Sequence, residues 1–150
     1  MVRLGLDLHG VIDEDPGFFL DLSEVMLERG HELYIITGRE DNKELHEELR
    51  NCGMEGVAHK NYKAILSITT YQKSLGTPVS YLDGRKSQPI MAPEIWNPTK
   101  AALCATAGIH IMVDDSPIYG KYFLDVKTQY LHYTPEVKEF LKTLFYFGGY

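Results

Sequence analysis

Short apolar runs, each cut off by a polar or glycine turn and followed by a helix-length segment, constrain this chain more than any other feature. Residues 2–8 (VRLGLDL) place apolar side chains at Val2, Leu4, Leu6 and Leu8 and stop at His9-Gly10. Residues 31–36 (HELYII) become continuously apolar at their end, and residues 109–113 (IHIMV) are apolar almost throughout. Such runs suit strands buried on both faces, as in a parallel sheet. The pattern predicts a further short strand over residues 56–58 and another over residues 128–133.

Helix signals fill the intervals. Asp15-Pro16 supplies an N-cap and a proline in the first turn, and the helix it opens runs to Arg29, where Gly30 ends it. Residues 40–52 read as a helix rich in Glu and Lys, closed by Gly53, and residues 61–75 as another, closed by Gly76. Residues 100–107 read as a short helix before Gly108, and Thr134-Pro135 opens a last helix through Val137, Phe140, Leu141, Leu144 and Phe145. Strands alternating with helices imply βαβ units. The expected fold is a doubly wound, Rossmann-like parallel sheet in a three-layer α/β/α arrangement. The length of 150 residues fits one domain, 1–150, with a small insert around residues 60–98. Within that insert, residues 77–98 hold four of the seven prolines, Trp96 and an Asp83-Gly84 turn, the mark of a small hairpin or an irregular segment.

Charge and composition exclude several classes. The net charge is −6 and no Lys/Arg run stands out, which argues against general attraction to nucleic acid or anionic membrane. No apolar run approaches the roughly 20 residues needed to span a bilayer, and the opening MVRLGLDLHG is too short and too charged for a signal peptide. A cytoplasmic protein is expected, with Cys52 and Cys104 as unpaired thiols. The sequence leaves the oligomeric state open.

In open α/β sheets, ligands sit beyond the carboxyl ends of the strands, and polar residues cluster there. Asp7 is a carboxylate near a strand end before a glycine turn, suited to be a nucleophile, a metal ligand or a simple turn cap. Asp114-Asp115 follow the buried run IHIMV. Two adjacent carboxylates repel one another there, a cost that a divalent cation would remove and that a solvated turn would avoid. Thr37 ends the second run, and its hydroxyl with the N–H groups of Gly38 and Arg39 could receive phosphate or merely cap a helix. Lys100, fourteen residues before Asp114, could neutralise charge between Asp7 and a phosphate; Lys86, in the insert, is a weaker choice. In order, the set offers a nucleophile, a donor to phosphate oxygen, a neutralising cation and a metal site. Phosphoryl transfer needs little else.

These motifs resemble those of the haloacid dehalogenase superfamily of phosphatases. Asp7-Leu8-His9-Gly10-Val11-Ile12 is similar to its first motif, Tyr34-Ile35-Ile36-Thr37-Gly38-Arg39 to its second, and Ile111-Met112-Val113-Asp114-Asp115-Ser116 to its fourth. Lys100 stands where the third-motif lysine does. The resemblance covers most of the chain. It implies a Mg2+-dependent phosphohydrolase acting on a small phosphorylated substrate, a phosphomonoester. In that reading Asp7 attacks phosphorus, Thr37 binds a phosphoryl oxygen and Lys100 steadies both. Mg2+ would be held by Asp7, the carbonyl of His9 and Asp115, with Asp114 bound directly or through water. Gly38, Arg39 and Ser116 would face the substrate.

One departure stands out: the family's acid/base aspartate is replaced by His9. A histidine, with an ordinary pKa near ~6.5, can donate to a leaving group and then activate water. The alternatives are slow or substrate-assisted turnover, and a degenerate protein that binds a phosphorylated ligand or partner without turning it over. Asp13 could also reach back, or belong to a solvated helix entry with Glu14 and Asp15. The 29 residues between Asp7 and Thr37 leave no room for a large cap, so a capless or small-cap site is expected. Trp96 either packs the insert or, as in small nucleotidase-like relatives, stacks on a base. A response-regulator receiver domain fits less well: its acidic pair follows the first strand and its phospho-acceptor the third, which here is expected to end at Ala58-His59.

Overall fold

Five strands form one parallel sheet in the order β3-β2-β1-β6-β7. They are β1 (Arg3–Leu6), β2 (Glu32–Thr37), β3 (Ala64–Ser67), β6 (Ile111–Asp114) and β7 (Gln129–His132). The structure is a computed structural model that describes residues 1–56 and 61–148. Strand order reverses between β1 and its neighbours β2 and β6, the place where an open α/β sheet forms its crevice.

The two-residue alternation of a strand sorts the core into two layers. Leu4, Leu6, Leu33, Ile35, Ile111 and Val113 share one buried cluster with Phe19, Leu22 and Met26 of α1 (Pro16–Glu28), Leu45 and Leu49 of α2 (Lys43–Asn51) and Leu141 of α5 (Pro135–Lys142). Their neighbours Ile36 and Met112 face the other way, onto Ala101 and Cys104 of α4 (Pro93–Ala107) and Phe123. Helices therefore cover both faces of the sheet, as the Rossmann-like reading requires. Burying a side chain the size of Phe19 contributes about 1.5–3 kcal/mol. Glycine is needed at position 5, where a Cβ would point into the second face and sit 2.4 Å from Cδ1 of Ile36.

Two expectations need correction. Residues 61–75 do not form one helix. Residues 64–67 are β3, paired with β2 from Tyr34↔Ala64 to Thr37↔Ser67, and only Ile68–Ser74 (α3) is helical. Pairing at the sheet edge overrides local helix preference in a segment that carries β-branched Ile65. Ser67 marks the true start, its side chain accepting the N–H of Thr70 at 3.0 Å. The third strand therefore ends at Ser67, which is no phospho-accepting carboxylate. Of the strand expected at 56–58, residues 57 and 58 lie outside the described residues.

The second correction concerns α4, which begins at Pro93, not Lys100, and carries Trp96 and Pro98 inside it. The hydroxyl of Thr99 donates to the carbonyl of Ile95 at 2.6 Å in the turn that Pro98 disturbs. The insert proper is a hairpin of β4 (Ser80–Tyr81) and β5 (Pro89–Ile90). Asp83 and Gly84 both adopt positive φ at its turn, 52° and 71°, as the Asp-Gly pair predicts. Cys52 and Cys104 are free thiols, and burial pushes Cys104 up to about 12. Among the described residues no helix is long and apolar enough to cross a membrane.

Candidate active site

Three carboxylates meet at the carboxyl edge of the two central strands. Asp7 follows β1, and its N–H donates to the carbonyl of Val113 at 3.1 Å, extending the β1–β6 pairing by one residue. Asp114 ends β6 fully buried, and Asp115 follows it into the open. Asp7, Asp114 and Asp115 each present an oxygen, all within 4.8 Å of one another. The turn after Asp7 makes this approach possible. Gly10 has φ +81°, and a Cβ there would lie 2.0 Å from Oδ2 of Asp115.

Lys100 closes the cluster from α4. Its ammonium lies 2.7 Å from Oδ2 of Asp114 and 3.6 Å from Oδ1 of Asp7, with only 3% of the residue exposed. Burial pulls Lys100 down, but the attraction of Asp7 and Asp114 outweighs it and holds the ammonium above its ordinary value. Burial also pushes Asp7 well above the usual carboxylate range, against the pull of Lys100 and with the repulsion of Asp114. Asp114 goes the other way. Its burial penalty is overcome by Lys100 and by the Ser116 N–H, which donates to Oδ1 at 3.1 Å. Asp115 is raised by partial burial and by its neighbour Asp114. The cluster thus holds one well-paired carboxylate, Asp114; Asp7 shares Lys100 at longer range, and Asp115 stands next to the repulsion of Asp114.

The other expected residues gather around it. Thr37 ends β2, 1% exposed, with Oγ1 accepting the N–H of Arg39 at 3.2 Å, which leaves its hydroxyl proton as a donor. A cleft of about 330 Å³ is lined by Asp7, His9, Thr37, Gly38, Arg39, Lys100, Asp114, Asp115 and Ser116 together. All nine expected site residues therefore meet in one hollow. Arg39 is less available than a substrate ligand should be. It is buried, with its guanidinium contacting Glu48 and lying 3.9 Å from Glu44 of α2. His9 sits on the rim, half-exposed, its Nε2 at 3.1 Å from Oε2 of Glu48. Asp13 turns to the backbone instead, Oδ1 accepting the N–H of Gly10 at 2.7 Å.

Sequence reasoning missed most of the remaining walls. Ser87, Gln88 and Pro89 of the hairpin and Tyr119 line the cleft, and Trp96, already singled out in the sequence, joins them. The indole N–H of Trp96 donates to the hydroxyl of Tyr119 at 2.8 Å, so Trp96 both packs and lines the hollow. Lys86 is not among the lining residues; its ammonium lies 4.2 Å from the ring centre of Tyr81. A larger hollow of about 710 Å³ lies by Arg3, Gly108 and Thr128, at the opposite strand ends. The carboxylate cluster does not reach it.

No family model matches the chain, and no curated protein matches it. Among solved structures, the crystal structure of an uncharacterized protein from Corynebacterium glutamicum is similar, with a TM-score of 0.58 over 99% of this chain and 96% of that one. At 18% identity the likeness is one of fold.

Proposed function

We propose that this chain is a magnesium-dependent phosphohydrolase of the haloacid dehalogenase type, acting on a small phosphomonoester through an aspartyl-phosphate on Asp7. The convergence of Asp7, Asp114 and Asp115 around one buried lysine, at the sheet's reversal point, carries this reading. The donor set suits a hard divalent cation: oxygen ligands, three carboxylates with one lysine among them. Both oxygens of Asp114 are already engaged by Lys100 and the Ser116 N–H, so Asp7, Asp115 and the His9 carbonyl would hold the ion, with Asp114 behind them. When bound, Mg2+ supplies positive charge that relieves the repulsion between Asp7 and an anionic phosphoryl group.

The chain's residues then divide the work. An oxygen of Asp7 forms a bond to phosphorus as the bond to the leaving oxygen breaks. Thr37 donates its hydroxyl proton, and Gly38 its N–H, to phosphoryl oxygens. Lys100 offsets charge on the carboxylate and the phosphoryl group from behind. His9 gives a proton to the departing oxygen, then takes one from the water that cleaves the acyl-phosphate and restores Asp7. The hairpin and Trp96 wall the cleft lightly, leaving room for a small substrate.

The test is hydrolysis of an aryl phosphate with and without Mg2+, beside Asp7→Asn. Metal-dependent turnover is expected, falling by about three orders of magnitude or more in the variant, with an unchanged urea midpoint to exclude unfolding. Turnover that survives Asp7→Asn ends the nucleophile assignment. Binding of a phosphate analogue with no turnover in the parent favours the degenerate binder.

A further inference from the structure

We propose that Glu48 is a positioning residue for His9: from α2 its carboxylate takes Nε2 of the imidazole and leaves Nδ1 as the nitrogen that moves protons in the cleft. The inference rests on the phosphohydrolase reading and explains how a histidine can serve at that place. The backbone of the β1–α1 turn is fixed. His9 is extended (φ −79°, ψ 126°), Gly10 donates to Asp13, and the N–H of Ile12 reaches the carbonyl of Asp7 at 3.3 Å. The ring is not fixed by that backbone. Its side chain is 47% exposed, and an exposed imidazole samples several rotamers. Glu48, 39 residues away on another element, restrains it at 3.1 Å.

Glu48 is itself anchored. The oxygen that meets His9, Oε2, also contacts Nη1 of Arg39, whose side chain is only 9% exposed. Arg39 is in turn tied to β3, its carbonyl accepting the hydroxyl of Ser67. A chain of contacts thus runs from the sheet through Arg39 and Glu48 to His9. A carboxylate that accepts from one ring nitrogen fixes the tautomer and the ring plane and so aims the other nitrogen. The Glu48 side chain is 44% exposed, and ion pairs that open to water contribute little to folding. A role in holding His9 is therefore separable from a role in stability.

The variants divide the two jobs of that carboxylate. Glu48→Ala removes the acceptor for His9 and the charge for Arg39. Glu48→Gln keeps an acceptor oxygen for Nε2 and loses the charge. For phosphomonoesters, Glu48→Ala is expected to lower kcat about tenfold, less than the roughly 100-fold or more that losing the general acid itself costs, with KM within about twofold. The loss should be larger for an alkyl than for an aryl leaving group, since the poorer leaving group needs the proton more. Glu48→Gln should restore most of it. In a His9→Ala background, Glu48→Ala should cost almost nothing further, the non-additivity of residues that act through one another. If Gln is as poor as Ala, if KM alone moves, or if the loss persists without His9, Glu48 serves Arg39 and the proposal is overturned.

A second readout needs no turnover. In ¹⁵N-histidine NMR at a pH where the ring is neutral, His9 should show one tautomer with its proton on Nε2, and a mixture in Glu48→Ala. A mixture already in the parent overturns the positioning role. A single tautomer in a protein that hydrolyses no phosphomonoester upholds the contact and sinks the phosphohydrolase reading instead.

Discussion

Lys100 is the residue on which the charge balance of the site turns. It is buried between Asp7 and Asp114, and both carboxylates depend on it for compensation. Lys100→Met keeps the aliphatic volume and removes the ammonium. Two buried carboxylates would then face each other with no cation, the arrangement that makes a broken buried ion pair cost about 3–5 kcal/mol. A drop of that size in urea-unfolding free energy at neutral pH is expected, and a change below about 1 kcal/mol would show that Asp7 already carries a proton that satisfies the pair. Lys100 was legible in the sequence because the interval to Asp114 holds only a helix, a glycine turn and a strand, a geometry the chain fixes locally. Glu48 was not. Its partners Arg39 and His9 lie 9 and 39 residues away, and no periodicity in α2 distinguishes it from Glu44 or Glu47. The burial of Arg39 was equally hidden, since a Thr-Gly-Arg turn reads the same whether the guanidinium faces substrate or a neighbouring helix.

At the scale of elements, α4 does more than carry Lys100. Its first turns bring Trp96 against the loop after β2, where a Cβ on Gly38 would lie 2.4 Å from Cζ2 of the indole. Gly38 thus has a packing reason beside any phosphate contact. Gly38→Ala must push the ring aside and break its hydrogen bond to Tyr119. As Trp96 is the only tryptophan, its fluorescence reports this directly. The emission maximum should shift to longer wavelength and acrylamide quenching should increase. An unchanged spectrum would mean that α4 yields as a unit and the contact is not tight. The start of α4 was obscured by Pro98, which reads as a helix breaker and yet is accommodated six residues into the helix. β3 was obscured for the opposite reason. Four residues at a sheet edge hold too few alternations to outweigh a helical reading, and only pairing with β2 decides them. Strands β2 and β6 were plain because both of their faces are buried, so their apolar side chains run on until a polar residue closes each one, and β1 because its alternate apolar residues stop at a glycine turn.

On the scale of the whole molecule, the two ends of the sheet divide the tasks. The carboxyl ends gather the carboxylate cluster, while the amino ends carry the Arg3–Glu32 and Lys63–Glu32 ion pairs and a neutral contact at His31. It precedes β2, is 5% exposed, accepts the N–H of Val2 through Nδ1 at 2.9 Å and meets the ring of Phe145 edge-on. Burial lowers its pKa, and the positive charges of the chain terminus and Arg29 add to the effect. The sign follows from linkage. The unfolded histidine takes up its proton near pH ~6.5, whereas the folded one resists until lower pH. Below that point the unfolded state holds more protons, so stability falls as the pH drops and levels off once the folded group is also charged. Urea midpoints at pH 7.5 and 5.5 should therefore differ more for the parent than for His31→Asn, whose amide oxygen can still accept from Val2 but does not titrate. Parallel losses in the two proteins would assign the acid sensitivity elsewhere. Asp7 and Asp115 at the other end cannot be its source, because both are raised and so favour the folded state as protons are added. The measured slope is thus a contest between the two ends of one sheet, and only the histidine end is removed by the substitution.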